Sequence, residues 1–238
     1  MKNFLLIHGS WHGAWCWHKI FPRLEAEGHN VIVPDLPGRG RAPAKTYAVS
    51  LDRMVRAVEA ALPKAGKTTI VVHSRYGIVA SMLAERVPEK IEQTIYLASF
   101  MLPSGKRVLD YMPDRGSKLI GHVEINKLAL WDLLHPRIYR EALYADCSEE
   151  DVAMARLLLG REPARPALTR LKLTDDNFGR VPRAYIRLTE DYAVSLNLQD
   201  QLLNLTSVDR IESIKSSHSA YFSKPDELTR TILKLAGD

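Results

Sequence analysis

Cysteine is nearly absent: Cys16 and Cys147 are the only two in 238 residues. They lie far apart and have no metal-type spacing, so neither a disulfide framework nor a zinc site is indicated. Both are expected as buried thiols in a reducing compartment. Long apolar runs are missing too. The opening MKNFLLIHG has one lysine and a short apolar stretch, too little for a signal peptide. No later run approaches membrane-spanning length. A cytoplasmic protein with no membrane partner is expected. Neither sign of charge dominates, with 33 basic against 28 acidic side chains and a formal charge of +5. The densest basic group, Arg39-Gly40-Arg41, is too short for a nucleic-acid stripe. What remains is a mildly basic surface that can favour anionic small molecules. His8, His12, His18 and His73 tempt a metal reading, but no H-E-x-x-H or carboxylate cluster accompanies them. No metal and no cofactor are expected, and no repeat or low-complexity segment occurs.

What is present is ordinary globular material, 46% hydrophobic and 26% charged, enough for one large domain with a proper core. Residues 4–7 form a short continuous apolar run, suited to a strand buried on both faces of a parallel sheet. Residues 15–27 have apolar side chains at helical spacing and stop at Gly28. A second buried strand at 31–33 ends at Pro34, and 35–40 is a turn cluster. Ser50 caps a helix over 51–62. A strand at 69–73, a helix at 77–86 and a strand at 93–98 follow. The alternation predicts an α/β fold, a mostly parallel sheet flanked by helices. It breaks between 104 and 180, where no core strand is evident. Helices are expected at 128–143 and 149–159, the second with Ser148 and Asp151 as a capping box. This segment is read as an inserted helical cap on a core made of 1–103 and 181–238. The sheet resumes at 184–188, then come a helix at 195–205, a strand at 209–214 and a final helix at 225–235 with proline in its first turn.

Active sites of parallel sheets sit at the carboxyl ends of strands. Four predicted strands end in chemistry: His8-Gly-Ser-Trp11, His73-Ser-Arg75, Thr189-Glu-Asp191 and Lys215-Ser-Ser-His218. The order Ser74, Asp191, His218 is that of nucleophile, acid and base in a serine hydrolase. A serine hydroxyl needs a base within hydrogen-bond reach. Imidazole can take and return a proton near neutral pH. A carboxylate fixes its tautomer and stabilises the imidazolium. The backbone N–H groups of Ser10 and Arg75 are the natural oxyanion donors. Glu190 competes with Asp191 as the acid. His8 is expected to anchor its loop. Trp11, Trp15 and Trp17 are candidates for a pocket wall, although at least two of them suit the core.

These residues sit in segments that resemble the α/β-hydrolase superfamily, and more narrowly the plant methylesterase and hydroxynitrile lyase family with its bacterial esterase relatives. HGSWHGAWCWHKI at 8–20, GHNVIVPDLPGRG at 28–40, ERVPEKIEQTIYLASFMLPSG at 85–105, YADCSEEDVAMARLLL at 144–159, VPRAYIRLTED at 181–191 and SSHSAYFSKPDEL at 216–228 carry the likeness over nearly the whole chain. The resemblance implies Ser74, Asp191 and His218 as nucleophile, acid and base, and Ser10 and Arg75 as oxyanion amides. Lyases of the family carry threonine after the first-loop histidine and lysine after the base. Here those positions hold Gly9 and Ser219, which implies an esterase. Gly9, Trp11 and Tyr76 are expected around the substrate pocket.

One stretch departs from the family. Relatives read G-H-S-R-G-G or G-H-S-L-G-G at the nucleophile, whereas this chain reads Val72-His-Ser-Arg-Tyr-Gly77. Small residues suit a turn that strains the serine. Either Tyr76 packs beside the triad with its hydroxyl bonded, or the elbow is distorted and the Arg75 amide misaimed. Tyr76→Gly is expected to fold and to raise simple ester hydrolysis. Three functions follow: a serine carboxylesterase for a small or medium apolar ester; a non-hydrolytic enzyme of lyase, cyclase or cofactor-free oxygenase type using the His–Asp pair as base; or a ligand-binding, non-catalytic homologue. The partner is a small-molecule substrate, and a homodimer is compatible with the sequence.

Overall fold

The computed structural model describes residues 1–112 and 114–237. The first half alternates strand and helix: β1 (Asn3–Ile7), α1 (Phe21–Ala26), β2 (Asn30–Ile32), α2 (Leu51–Ala61), β3 (Thr68–His73), α3 (Gly77–Arg86) and β4 (Ile91–Leu97). An insertion follows, with β5 (Val123–Asn126), β6 (Trp131–Leu134), α4 (Tyr139–Leu143), α5 (Glu149–Leu158), β7 (Glu162–Pro163) and α6 (Arg165–Leu168). The chain then completes the sheet with β8 (Arg183–Leu188), α7 (Leu196–Leu205), β9 (Arg210–Ile214), α8 (Ala220–Ser223) and α9 (Pro225–Ala236).

The main sheet is parallel throughout, in the order β2-β1-β3-β4-β8-β9. β3 is buried along its whole length, as a central strand covered on both faces must be. Two apolar layers result. One contains Phe4, Leu6, Val71 and Ile95, the other Leu5, Ile7, Ile70 and Val72. This is the two-residue period of strands that send alternate side chains to opposite helix layers. Each such aliphatic side chain stabilises the fold by roughly 1.5–3 kcal/mol through burial. Polar residues punctuate the helices as expected. Ser50 accepts from the Arg53 amide, Ser148 from Asp151 and Ser195 from Leu198, capping α2, α5 and α7.

Strand order reverses at β1, whose neighbours β2 and β3 lie on opposite sides. The chain leaves β1 and β3 in opposite directions there and opens a crevice at their carboxyl ends.

The insertion differs from the expected helical cap. Its strands form a separate antiparallel sheet, β5-β6-β7. The helix expected over 128–143 is β6 followed by α4. Leu130 takes a left-handed φ of 54° before the strand, and Pro136 opens the turn after it, so neither end of that stretch can continue a helix. The helix expected at 15–27 likewise divides into a 3-10 turn at Ala14–Trp17 and α1, where Pro22 starts afresh. Among the described residues, no helix is long and apolar enough to cross a membrane.

Candidate active site

Ser74 follows the last residue of β3 and has φ of 57°. That left-handed conformation is costly for a residue with a β-carbon and turns the side chain out of the strand. The turn at Ser74–Tyr76 runs directly into α3. The Arg75 N–H therefore sits in the first turn of a helix, where amides have no intrahelical acceptor. The Ser74 carbonyl is fixed from the opposite side by the Phe100 amide at 3.0 Å and the Ser99 hydroxyl at 2.6 Å. The elbow is intact despite its altered sequence.

Ser74 Oγ lies 3.1 Å from His218 Nε2, and His218 Nδ1 lies 2.7 Å from Asp191 Oδ2. With a carboxylate accepting at Nδ1, the proton resides there and Nε2 is left to accept from the serine. The other Asp191 oxygen accepts the amides of Ala193 (2.7 Å) and Val194 (2.9 Å), which fixes the acid. Glu190, the competing candidate, instead faces Lys215 at 3.5 Å on the surface. His73 donates from Nε2 to the His218 carbonyl at 3.0 Å and holds the base loop.

Ser10 and Arg75 both line a cavity of about 330 Å³, together with Trp11, Ser74 and His218. Its other walls are mainly apolar, with Phe100, Val108, Leu119, Val123 and Val194 among them. Leu109, Met112, Ile120 and Ile125 line it as well and are themselves exposed, so they form an apolar rim.

The histidines of the first loop serve geometry. His8 takes the Leu36 amide at Nε2 (3.1 Å) and donates from Nδ1 to the Gly9 carbonyl (2.9 Å). In a trans peptide the C=O and N–H point opposite ways, so this bond aims the Ser10 N–H away from His8. His12 donates from Nδ1 to the Ser10 carbonyl (2.7 Å) and accepts at Nε2 from the Tyr144 hydroxyl (2.6 Å), with the Tyr221 hydroxyl also near that nitrogen at 3.1 Å. Burial holds His8 near pKa 4 and His12 near 3, and pushes His73 well below its ordinary value. All three are therefore neutral at physiological pH. Burial also raises Cys16 above the usual thiol range and Cys147 to about 12, so both thiols are inert.

Two expected pocket residues lie behind the wall. Tyr76 is fully enclosed in the core layer with Ile7 and Val72, edge-on to His8, and its hydroxyl finds no hydrogen-bond partner among the described residues. The alternative that places Tyr76 beside the triad with its hydroxyl bonded does not hold, because its phenol packs into the helix layer and its hydroxyl is unbonded among the described residues. A glycine there would leave a large cavity, contrary to the expectation that Tyr76→Gly folds unharmed. Gly9 is pressed against the elbow. A β-carbon on it would stand 2.8 Å from His73 Nδ1 and 3.0 Å from Ser74 Cβ. Of the three tryptophans, Trp11 lines the cavity and Trp17 is buried in the core. Trp15 stacks on His12 and Phe222 outside it.

The insertion supplies residues that no motif marks. Asp132 on β6 accepts two bonds from the Arg75 guanidinium, at 2.8 and 3.3 Å, and one from the Trp11 indole at 2.9 Å. Glu162 on β7 accepts the Trp11 amide. Burial pulls the Arg75 pKa down, but the charges of Asp132 and Glu162 more than compensate and raise it. For Glu162 burial prevails and raises the pKa, against the pull of Arg39, Arg75 and the Trp11 amide.

A family model described as "Alpha/beta hydrolase family" matches residues 4–231. Methylesterase 9 of Arabidopsis thaliana is 31% identical over 257 residues, covering 99% of this chain and 98% of that protein. Putative methylesterase 11, chloroplastic, of the same plant is 30% identical over 250 residues, covering 99% of this chain. The chain spans only 64% of that relative's length. Among solved structures, the methylesterase protein MES16 from Arabidopsis superposes with a TM-score of 0.88 at 26% identity, covering 100% of this chain and 99% of that one.

Proposed function

The chain belongs to the alpha/beta hydrolase family, and we propose that within it the protein is a serine-dependent carboxylic ester hydrolase acting on a small or medium apolar ester through an acyl-enzyme. One observation carries this reading: an unbroken hydrogen-bond chain from Asp191 through His218 to Ser74 that ends at an apolar cavity.

In this mechanism His218 Nε2 takes the Ser74 proton as Oγ adds to the ester carbonyl. Asp191 steadies the imidazolium that forms. The developing oxyanion receives the Ser10 and Arg75 amides, each worth roughly 3–4 kcal/mol of barrier. Collapse of the adduct breaks the C–O bond, and His218 returns the proton to the departing alcohol. Water then enters, activated by the same imidazole, and releases the acid and free Ser74.

The walls favour an uncharged ester. Arg75 is the one lysine or arginine on the described lining, and Asp132 already holds its charge. Methyl esters are the first class to assay, given the relatives' names. The packing at position 9 and the residue after the base oppose a cyanohydrin lyase. A threonine at position 9 would collide with the elbow, and Ser219 brings no charge beside the base.

The test compares wild type with Ser74→Ala and His218→Ala on methyl esters and short-chain nitrophenyl esters. Both variants are expected to lose roughly 10³-fold or more in kcat, and a serine-directed phosphonate should label Ser74. Turnover surviving in Ser74→Ala but not in His218→Ala would transfer the chemistry to the non-hydrolytic class, with the His–Asp pair as base.

A further inference from the structure

We propose that Asp132 and Glu162 are positioning residues that aim the oxyanion donors, so that the insertion takes part in turnover as well as covering the cavity. The inference rests on the ester-hydrolase reading above.

The two acids are direct cross-strand partners in the β6–β7 ladder, with both side chains on one face of the small sheet. Both are enclosed, Asp132 at 7% and Glu162 at 0% exposure. Two buried carboxylates side by side repel, and a fully apolar contact would join insertion to core with less desolvation. Where their bonds go explains the arrangement. Asp132 grips the Arg75 guanidinium with both oxygens and the Trp11 indole with one. Glu162 takes the Trp11 amide. The Arg75 guanidinium lies over the Trp11 ring at 5.4 Å. One residue of the elbow and one of the first loop are thus gripped by the same pair.

These are the two sides of the oxyanion hole. Trp11 has φ of 61° and Ser74 φ of 57°, both left-handed and both unfavourable for their residue types. Such backbone persists only where its surroundings over-determine it. At the first loop the over-determination is visible bond by bond. The Ser10–Trp11 peptide is held at its carbonyl by His12 and at its N–H by Glu162. The preceding peptide, which bears the Ser10 N–H, is held at its carbonyl by His8. At the elbow, Asp132 anchors the side chain of the residue whose amide is the other donor. Withdrawing either carboxylate frees one strained segment and lets its donor drift, while the cavity wall that binds the ester stays in place.

The experiment uses Asp132→Asn and Glu162→Gln in the full chain, with kcat and KM measured on a short-chain nitrophenyl ester beside wild type and Ser74→Ala. Each variant is expected to lose roughly 10- to 100-fold in kcat, less than outright removal of a donor, with KM within about twofold. Phosphonylation of Ser74 should slow by a similar factor. The double variant should fall little further than the weaker single, since the pair acts as one unit. Arg75→Lys, which keeps the charge but not the two-pronged grip, should show a smaller loss of the same kind. If Glu162→Gln does not fold, Glu162→Asp keeps the charge and draws the carboxylate back from the Trp11 amide, and the same kcat loss is expected. Folded variants with wild-type kcat, or a loss confined to KM, overturn the inference. Survival of hydrolysis in Ser74→Ala instead overturns the underlying reading and is seen separately.

Discussion

The phenol of Tyr76 is enclosed on every side, and its hydroxyl meets no acceptor among the described residues. A buried, unbonded hydroxyl costs about 1–3 kcal/mol of desolvation. Tyr76→Phe is therefore expected to raise stability by about 1 kcal/mol in a chemical-denaturation curve and to leave ester turnover within about twofold. Tyr76→Gly should lose about 3–5 kcal/mol or more, as large-to-small changes of core aromatics do. The candidate serine and histidine were readable from their order after predicted strands, whereas order left Asp191 in competition with Glu190 until the resemblance chose between them. The direction of Tyr76 was not readable, because a side chain at the head of a helix can face either the cavity or the core, and only the packed layers decide. Asp132 and Glu162 escaped for another reason. Each is a lone acid in the chain, and their partnership arises only from the β6–β7 register.

The strand–turn–helix unit β3–α3 shows which small residue the elbow needs. A β-carbon on Gly77 would lie 2.6 Å from the Phe100 carbonyl oxygen and 2.5 Å from the Ser99 hydroxyl oxygen. The Phe100 amide and the Ser99 hydroxyl are also what hold the Ser74 carbonyl. The tight spot is thus one position beyond Tyr76, on the face of α3 turned toward the loop after β4. Gly77→Ala is expected to lower stability by about 1–3 kcal/mol through overpacking. It should also reduce kcat by pushing that loop off the serine carbonyl. Thermal melts with steady-state kinetics on the same preparation check both, and unaltered values would show that the loop yields freely. Legibility at this scale followed length and pattern. Continuous apolar strands and capped helices were evident, whereas β5 and β6, at four residues each, and β7, at two, are too short to leave a period.

Across the whole molecule, three buried neutral histidines make acid the weak side. His8 and His12 titrate near 4 and 3 in the fold, and His73 is held well below its ordinary value, while unfolded histidine titrates at about 6.5. Between those limits the unfolded chain binds more protons. Their contribution is complete above about pH 6.5 and drains away as pH falls, each histidine adding up to about 1.4 kcal/mol per pH unit. Glu162 acts in the opposite direction. Its raised pKa means the fold holds that proton longer, so its contribution declines as pH rises above about 4.5. The histidines, with His18, Asp35 and Glu85 acting in the same sense, outweigh Glu162, so melting temperatures are expected to drop steeply from about pH 6 to pH 4.5 and change little between pH 7 and 8. Scanning calorimetry across that range decides it, and a flat profile down to pH 5 would contradict the neutral assignment. The parallel sheet and its flanking helix layers were anticipated by the alternating pattern, because local period and global topology agree there, whereas the strand order is seen only in the fold. The insertion obeys no such pattern, being tied down by contacts distant in sequence.

That anchorage has a bearing on traffic. Because β6 and β7 are bonded through enclosed carboxylates to Arg75 and Trp11 on either side of the serine, the insertion is expected to act as a fixed roof rather than a swinging door. On the ester-hydrolase reading, a substrate would have to pass the greasy doorway formed by Leu109, Met112, Ile120 and Ile125, and its girth and wettability would be screened at that threshold before any chemistry begins.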